Sequence, residues 1–336
     1  MSVLTPLAEI YKGIASTRNA LYDRNVLKIE KLNVPVVSVG NLTMGGTGKT
    51  PAVLFLVDLL LKNGKSVGVI SRGYGRKTSG VLEVEAAFDT NLFGDEPALI
   101  KKHFPNISVF VGEKRVEAGR ALLKKNKVDV IIADDAFQHR RLYRNLDIVL
   151  LDATESLLNY EVFPQGRARE PKKGLERADI VLITKANLEG ALLKDEIIRF
   201  FNNDLNTEIK QDTFISEMVL GKAYFLFSDK EVIFQPGEKV TLVSAVGNPD
   251  SFEKLCKKEY KVDIQQHLKF SDHYRFLKND FLSLESFSGK IIVTEKDAIK
   301  LRSLNLAHLE IVVAPLKMKI PDQFEVFSEK IIGLCS

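Results

Sequence analysis

The stretch VPVVSVGNLTMGGTGKTP, residues 34–51, decides the fold. It opens on a run rich in valine at 35–39, which is typical of a buried strand, and an apolar run with helical spacing follows at 52–62. Between the two lies a glycine-rich segment that ends in Gly48-Lys49-Thr50. A strand, a glycine-rich turn and a helix in this order predict a phosphate-binding loop.

The loop departs from the usual pattern GxxxxGK[ST] at one position, because Thr43 stands where the first glycine is expected. The physical basis of the pattern is kept. The glycines let the backbone approach an anion with its N–H groups pointing inward, and the helix adds the partial positive charge of its first turn. We therefore expect contacts to the phosphates of ATP from Thr43, Met44, Gly45, Gly46, Thr47, Gly48, Lys49 and Thr50.

Two residues of the loop have separate expected roles. Lys49 should reach the β- and γ-phosphates, and the hydroxyl of Thr50 should hold Mg²⁺. Pro51 suits the first turn of a helix, where its missing N–H costs little. The alternative is a glycine-rich turn that binds nothing, and the strand before it and the helix after it argue against that interpretation.

Two other classes of P-loop protein fit less well. Switch and assembly ATPases of the MinD and ParA type carry a lysine just before GGxGKT, and this chain has Met44 there. GTPases carry an NKxD motif, and the nearest candidate, Thr184-Lys185-Ala186-Asn187, lacks the aspartate. A switch ATPase without a small-molecule acceptor is kept as the alternative, whereas guanine specificity has no support.

Further apolar runs indicate the architecture around the loop. They lie at 67–70, 128–133, 148–151 and 180–183 and alternate with helical patterns. Unbroken runs of this kind predict an α/β fold with a mostly parallel sheet that helices cover on both faces. Ligands of such sheets bind beyond the carboxyl ends of the strands.

The pattern changes after about residue 205, where extended segments interrupted by Gly221 lead into a second alternation of strands and helices. We predict a P-loop NTPase-like core and a smaller α/β domain that extended linker strands join to it. The predicted boundaries are 1–25 for an amphipathic N-terminal helix, 26–210 for the core, 211–229 for the linker, 230–316 for the smaller domain and 317–336 for a C-terminal return segment.

Composition excludes several other classes. The 336 residues are 45% hydrophobic and 27% charged, which is ordinary for a globular protein with a sizeable core. The net charge of +4 argues against a dedicated nucleic-acid-binding ATPase, so we expect no nucleic-acid partner. Two cysteines cannot form a disulfide framework, which favours a reducing compartment. The sequence predicts neither a secretory signal nor a transmembrane helix.

The N-terminal segment has an apolar stripe at helical spacing. Its members are Leu4, Leu7, Tyr11, Ile14, Leu21 and Tyr22. Basic residues such as Arg18 lie largely on the other side, so the helix suits a membrane interface. Most amphipathic helices in soluble proteins instead pack on their own domain, and the residues alone favour that interpretation.

Polar clusters occur near predicted strand ends. Ser71-Arg72-Gly73-Tyr74-Gly75-Arg76 follows a strand directly and offers cations to an anionic group. Asp134 and Asp135 end another strand, where P-loop enzymes usually place an acidic Mg²⁺ anchor. A helix cap would explain one aspartate better than two. Asp95-Glu96-Pro97 opens a helix, where acidic residues are common because they complement the helix dipole.

Three more polar segments lie further along the chain. Arg167 to Pro171 (RAREP) belongs to the predicted core, and by itself it has the character of any charged surface loop. Ser271-Asp272-His273-Tyr274 and Thr294-Glu295-Lys296-Asp297 belong to the smaller domain. Because a lone histidine is more often structural than catalytic, its position in the sequence leaves the role of His273 open.

These segments together resemble the tetraacyldisaccharide 4'-kinase family. The resemblance runs in order through VPVVSVGNLTMGGTGKTP, SRGYGRK, GDEP, DDAFQHRRL, GRAREP, FSDHYRF and VTEKDA, from residue 34 to 298. GGTGKTP alone is moderately specific, whereas GDEP, DDxFQH and DHY in this order are highly specific together. The chain departs from the pattern at Ala136, where many relatives are expected to have glycine.

The resemblance implies phosphorylation of the 4'-hydroxyl of a tetraacylated glucosamine disaccharide 1-phosphate, which gives lipid IVA of the lipid A pathway. It implies ATP and Mg²⁺ as cofactors and no obligate protein partner. It also implies a peripheral position on the cytoplasmic face of the bacterial inner membrane, and with that the N-terminal helix becomes an expected membrane contact.

On this basis we expect Asp95 to activate the sugar hydroxyl, with His273 to tune or orient it and Lys49 to stabilise charge on the transferred group. Asp95 and His273 belong to different predicted domains, so their meeting requires the domains to face each other. The expected Mg²⁺ ligands are Thr50 and one or more of Asp134, Asp135 and Glu170. Weaker candidates for contacts with substrate or phosphate are Arg72, Tyr74, Gln138, His139 and Arg169.

Overall fold

Residues 34–51 form the strand, turn and helix start that the sequence predicts. The computed structural model describes residues 4–85, 89–205, 209, 211–284 and 289–335. Strand β1 (Val36–Asn41) is buried along its whole length. Helix α2 (Lys49–Lys62) begins directly after Gly48. The phosphate-binding loop therefore lies between the carboxyl end of β1 and the first turn of α2.

The larger sheet surrounds β1 with seven further strands, and its spatial order is β3-β4-β2-β5-β1-β6-β7-β8. Every pairing is parallel except that of β3 with β4. The seven are β2 (Val67–Ser71), β3 (Leu82–Glu83), β4 (Ser108–Val111), β5 (Val130–Asp134), β6 (Leu146–Asp152), β7 (Ile180–Thr184) and β8 (Asp212–Ile215). Since β5 neighbours β1, the aspartates at its end lie beside the loop.

Helices cover both faces of this sheet, because alternate residues of its strands point in opposite directions. Val37 and Val39 pack in the cluster that contains the buried residues of α2, whereas Val36 packs with Leu122 on the other face. The remaining helices of this part are α1 (Leu4–Asp23), α3 (Thr90–Phe93), α4 (Asp95–His103), α5 (Arg115–Lys125) and α6 (Lys194–Leu205).

The smaller sheet has the order β11-β10-β15-β14-β12-β13, and its four strands from β15 to β13 are parallel. The sheet consists of β10 (Ala223–Phe225), β11 (Glu231–Val232), β12 (Lys239–Ser244), β13 (Asp263–Lys269), β14 (Lys290–Thr294) and β15 (Ile311–Ala314). Its helices are α7 (Pro249–Leu255), which continues as one π-helical turn at Cys256–Tyr260, and α8 (Glu295–Leu301). The predicted α/β fold with a second, smaller α/β domain is confirmed.

A two-stranded ribbon joins the two sheets. Strand β9 (Glu217–Leu220) pairs antiparallel with β16 (Leu316–Lys319). Helix α9 (Phe324–Ile332) then returns to α2, where the rings of Phe327 and Phe55 lie 6.1 Å apart. The strands within the predicted linker at 211–229 are divided differently from our expectation, since β8 pairs with β7 of the larger sheet and β10 with β15 of the smaller one. Short extended segments do not reveal their pairing partner in the sequence, which explains the difference.

Helix α1 leaves its apolar stripe largely uncovered. Residues 1–3 and the side chain of Leu4 lie outside the described residues. Leu7 and Ile14 are 54% and 66% exposed, whereas Tyr22 near the helix end is buried. Hydrogen bonds attach the helix to the larger domain, among them one from Arg18 Nη2 to the carbonyl oxygen of Gln138 at 2.9 Å. Among the helices described, none combines the length and apolar character that crossing a bilayer requires.

Candidate active site

Glycines and side chains at the end of a neighbouring strand determine the backbone conformation of the phosphate-binding loop. Gly45 and Gly48 have φ values of +132° and +90°, which a residue with a Cβ rarely adopts. At the end of β7, Lys185 Nζ donates a hydrogen bond to the carbonyl oxygen of Gly46 at 2.8 Å, and Thr184 Oγ1 donates one to that of Thr47 at 2.9 Å. The loop conformation is therefore fixed by residues that do not belong to the loop.

Lys49 is the first residue of α2. Its Nζ donates a hydrogen bond to Asn41 Oδ1 at 3.2 Å and lies 3.6 Å from Asp135 Oδ1. Asn41 ends β1, and Asp135 follows the end of β5. The carboxyl ends of two adjacent strands thus position the ammonium group at the mouth of the loop, next to Thr50 of α2.

Asp134 and Asp135 have different surroundings. Asp134 is 4% exposed and accepts a hydrogen bond from Ser71 Oγ at 3.0 Å. Burial, together with the nearby charges of Glu96 and Asp135, raises the pKa of Asp134 to about 6. Burial also acts on Asp135, but the charges of Lys49 and Arg169 outweigh it, so the pKa of Asp135 is below its ordinary value.

The donor set beside the loop fits a magnesium ion. Asp134 is a buried carboxylate near other acidic groups, so a cation there would offset unfavourable charge. Hydroxyl and carboxylate oxygens are the donors that Mg²⁺ prefers, and it takes few of them from protein when phosphates supply the rest. No group of three or more histidine, cysteine or acidic side chains with metal-site geometry occurs in the described ranges.

Glu170 lies in a different environment from the one expected for a metal ligand. Its Oε2 lies 2.8 Å from Arg177 Nη2 and accepts a hydrogen bond from Asn19 Nδ2 of α1 at 2.8 Å. Its Oε1 accepts one from Gln138 Nε2 at 3.0 Å. Both oxygens are thus engaged by protein groups, and the carboxylate links α1 to the segment after Asp135. The sequence around Glu170 does not predict these partners. Asn19 is 151 residues away, and Arg177 belongs to no recognised motif.

Asp95 and His273 meet across the boundary between the two domains. His273 Nδ1 lies 3.1 Å from Asp95 Oδ2. Asp95 is the first residue of α4 and is 8% exposed. His273 has a φ of +60° and packs against Tyr74, with ring centroids 4.9 Å apart. Burial raises the pKa of Asp95, but the hydrogen bond from His273 and the positive charges of Lys300 and Lys296 outweigh it, so the net shift is downward.

The weaker candidates all lie at one cleft. The residues that line it include Arg72, Tyr74, Gln138, His139 and Arg169. Arg169 Nη1 lies 2.9 Å from both carboxylate oxygens of Asp135. Burial and the neighbouring arginines, above all Arg115, lower the pKa of His139 to about 4, so that its imidazole is neutral at physiological pH.

Four cations near the site were missed by the sequence reasoning. Arg167 lies against the loop, since a Cβ added to Gly45 would be 2.8 Å from its Nη2. Arg115 is 2% exposed, and its Nη1 donates a hydrogen bond to the carbonyl oxygen of Gly112 at 3.0 Å. Lys296 and Lys300 lie around Asp95. The segments RAREP and TEKD contained two of the four, whereas no motif indicated Arg115 or Lys300.

One cleft of about 980 Å³ lies between the phosphate-binding loop and the smaller domain. The loop residues from Met44 to Thr50 form one wall, and Gly247, Asn248, His273 and Lys296 of the smaller domain form the other. Tyr11 and Arg18 of α1 line the cleft as well. The two domains therefore enclose one cleft, and α1 borders it.

Comparisons with known proteins identify relatives along nearly the whole chain. The family model for tetraacyldisaccharide-1-P 4'-kinase matches residues 1–333. A tetraacyldisaccharide 4'-kinase of Bdellovibrio bacteriovorus is 41% identical over 317 residues, which cover 90% of this chain and 89% of the relative. The corresponding protein of Parabacteroides distasonis is 36% identical over 317 residues, with coverage of 90% and 84%.

A solved structure is similar as well. The crystal structure of LpxK from Aquifex aeolicus in complex with ATP superposes with a TM-score of 0.78 at 32% identity, and the match covers 99% of this chain and 98% of that one. The resemblance inferred from the motifs is confirmed: the chain belongs to the tetraacyldisaccharide-1-P 4'-kinase family.

Proposed function

We infer that the protein is an ATP-dependent tetraacyldisaccharide 4'-kinase, which transfers the γ-phosphate of ATP to the 4'-hydroxyl of tetraacyldisaccharide 1-phosphate and yields lipid IVA for lipid A biosynthesis. One observation carries the inference beyond family membership. The phosphate-binding loop and His273, which contacts Asp95, face each other across a single cleft. A phosphate donor and an acceptor hydroxyl could therefore be held in line between them.

Asp95 is the proposed general base. Its lowered pKa means that the carboxylate is ionised at neutral pH and free to accept the proton of the sugar hydroxyl as the phosphoryl group is transferred. The hydrogen bond from His273 Nδ1 holds Oδ2 of Asp95 in place. A base of this strength works by position, and enclosure between two domains excludes water that would otherwise compete as acceptor.

Lys49 is the proposed electrostatic partner of the transferred group. Its ammonium has only Asn41 Oδ1 and the more distant Asp135 near it in the contacts described, so a phosphate oxygen can approach it. Thr50 with Asp134 or Asp135 would hold Mg²⁺, which when bound offsets negative charge on the phosphates. Glu170 is left out of this set because Arg177, Asn19 and Gln138 occupy its oxygens.

Helix α1 is the proposed membrane contact. Leu7, Ile10, Tyr11 and Ile14 lie on one face at helical spacing, and all four are at least 38% exposed. Tyr11 also lines the cleft. A lipid whose acyl chains remain in the bilayer could thus present its disaccharide to the site beside the helix. A peripheral position on the cytoplasmic face of the inner membrane agrees with this arrangement.

The direct test is transfer of labelled γ-phosphate from ATP to tetraacyldisaccharide 1-phosphate in detergent micelles with Mg²⁺. We expect labelling of the 4'-position, and we expect Lys49→Ala to abolish it. Lys62→Ala is the matched control, because Lys62 lies at the other end of α2 and its side chain is 73% exposed. Hydrolysis of ATP by folded protein without labelled lipid would overturn the assignment and support a switch ATPase.

A further inference from the structure

Lys300 of α8 contacts the carboxylate that the proposed mechanism uses as base. Its Nζ lies 3.4 Å from Asp95 Oδ2, and its side chain is 7% exposed. Lys300 belongs to the smaller domain and Asp95 to the larger one. The ion pair therefore exists only while the two domains are in contact.

The ammonium group of Lys300 is surrounded by oxygen atoms and an aromatic ring. It lies 3.2 Å from Asp297 Oδ1 and donates a hydrogen bond to the carbonyl oxygen of Tyr274 at 3.2 Å. With Asp95 these make three oxygen atoms, which equals the number of N–H groups that an ammonium can donate. The ring of Phe276 lies 5.6 Å from Nζ and adds a cation–π contact.

Asp297 in turn is held rigidly. It is fully buried, and its Oδ2 accepts hydrogen bonds from the backbone N–H of Ala245 at 3.0 Å and from Thr294 Oγ1 at 2.7 Å. These contacts tie the carboxylate to the backbone just after β12 and to Thr294, the last residue of β14 and the N-cap of α8. Lys300 is thus anchored to two elements of the smaller domain before it reaches Asp95, so little side-chain entropy is lost when the ion pair forms.

The other charged groups around Asp95 are largely paired with one another. Lys296 Nζ lies 3.0 Å from Glu96 Oε1, 3.2 Å from Asp272 Oδ1 and 3.2 Å from His273 Nε2. Two carboxylates, one of which follows Asp95 in the same helix, thus offset the charge of Lys296. Lys300, at the distance of direct contact, is the cation best placed to act on Asp95.

We propose that Lys300 is a positioning residue of the kinase: its ammonium fixes Oδ2 of Asp95 at the domain boundary, together with His273, and keeps the carboxylate ionised when the domains meet. The proposal rests on the assignment of Asp95 as base. Removal of the charge should then weaken the base specifically at low pH. It should leave the Michaelis constant for ATP unchanged, because Lys300 does not contact the phosphate-binding loop.

The test compares Lys300→Met, Lys300→Gln and Lys300→Arg in the phosphate-transfer assay between pH 4.5 and 8. We expect the acidic limb of kcat to move to higher pH in the two neutral variants, so that kcat falls about threefold or more near pH 5 and recovers as the pH rises. Lys300→Arg, which keeps the charge, should keep the limb near that of the wild type. Lys290→Met is the matched control, since Lys290 is a partly buried lysine of the same domain that pairs with Glu238.

The outcomes test the role of Lys300 separately from the assignment of Asp95 as base. An equal loss of kcat at every pH in the neutral variants, or no loss, would overturn the role of Lys300. Lys300→Gln can still hydrogen-bond to Asp297 and Tyr274, so it decides the question if Lys300→Met does not fold, as judged by thermal unfolding. If Asp95→Ala retains near-normal kcat, the base assignment itself fails, and that result is independent of every Lys300 variant.

Discussion

His273 Nδ1 lies 3.1 Å from Asp95 Oδ2, although 178 residues separate them in the chain. An apolar contact between the domains makes this meeting possible. Ala98 and Leu99 of α4 pack against Ile299 of α8, and all three are buried. Helix α4 is thereby docked on the smaller domain with its first residue next to the loop that carries His273.

Replacement of Asp95 should therefore have a much larger effect on catalysis than on folding. We expect Asp95→Asn to lower kcat roughly 10²–10⁴-fold, the usual cost of removing a general base. His273→Asn should cost less, because Asp95 retains its own carboxylate, and asparagine tolerates the positive φ at this position. Steady-state transfer kinetics measure both, with the exposed Asp212→Asn as control. Near-normal kcat in Asp95→Asn would exclude the base role.

Asp134 should destabilise the protein at neutral pH when no metal or nucleotide is bound. Its pKa is raised from 3.8 to about 6, so the folded state holds a proton more tightly than the unfolded state. Stability then falls as the pH rises from about 4 to above 6. We expect Asp134→Asn to raise the Tm of the free protein at pH 7.5, to lose this advantage near pH 4, and to be inactive.

Asp129 offers a control of opposite sign. Hydrogen bonds from the side chain and backbone of Ser66 lower the pKa of Asp129, so its carboxylate stabilises the folded state above its unfolded pKa and loses that effect as the pH falls. Asp129→Asn should therefore lower the Tm at pH 7.5. Thermal unfolding across the pH range measures both variants, and a lower Tm for Asp134→Asn at pH 7.5 would contradict the prediction.

Gly48 should be required for nucleotide binding as well as for backbone conformation. Gly48 and Gly64 both have positive φ, +90° and +72°. A Cβ at Gly48 would lie 2.5 Å from Met218 Cε, whereas one at Gly64 would meet nothing within 4 Å. Alanine at either site should cost about 1–2 kcal/mol of stability. Only Gly48→Ala should weaken ATP binding, by about tenfold or 1.4 kcal/mol. Calorimetric titration decides this, and equal ATP affinity in both variants would refute it.

The exposed face of α1 should determine binding to membranes. Each isoleucine that enters the interface should contribute about 1.5–3 kcal/mol. We expect the double variant Ile10→Gln/Ile14→Gln to sediment with anionic phospholipid vesicles at least about a hundredfold more weakly than the wild type. Leu193→Gln/Ile233→Gln is the matched control, since these residues are 71% and 78% exposed and do not belong to α1. Equal loss in both double variants would contradict a specific role for α1.

Much of the fold and part of the candidate site could be predicted from local sequence. Residues 34–51 predicted the strand, loop and helix because glycine, lysine and threonine at fixed spacing act through their own backbone and their immediate neighbours. The pair Asp134-Asp135 was found for the same reason, since Asp134 ends a buried strand and Asp135 follows it directly. The division of 211–229 between two sheets was not predicted, because strand pairing depends on residues far away in the chain.

The chain by itself determined which residues have the chemistry for phosphate transfer, and the order of its motifs indicated the family. Only the tertiary structure decided their partners. Glu170 proved to be engaged by Arg177 and Asn19, and Lys300, which no motif indicated, proved to contact Asp95. The physical reason is that the ionisation of a buried group depends on the charges and hydrogen bonds within a few ångströms of it. Packing brings those partners together from elements that are far apart in the sequence.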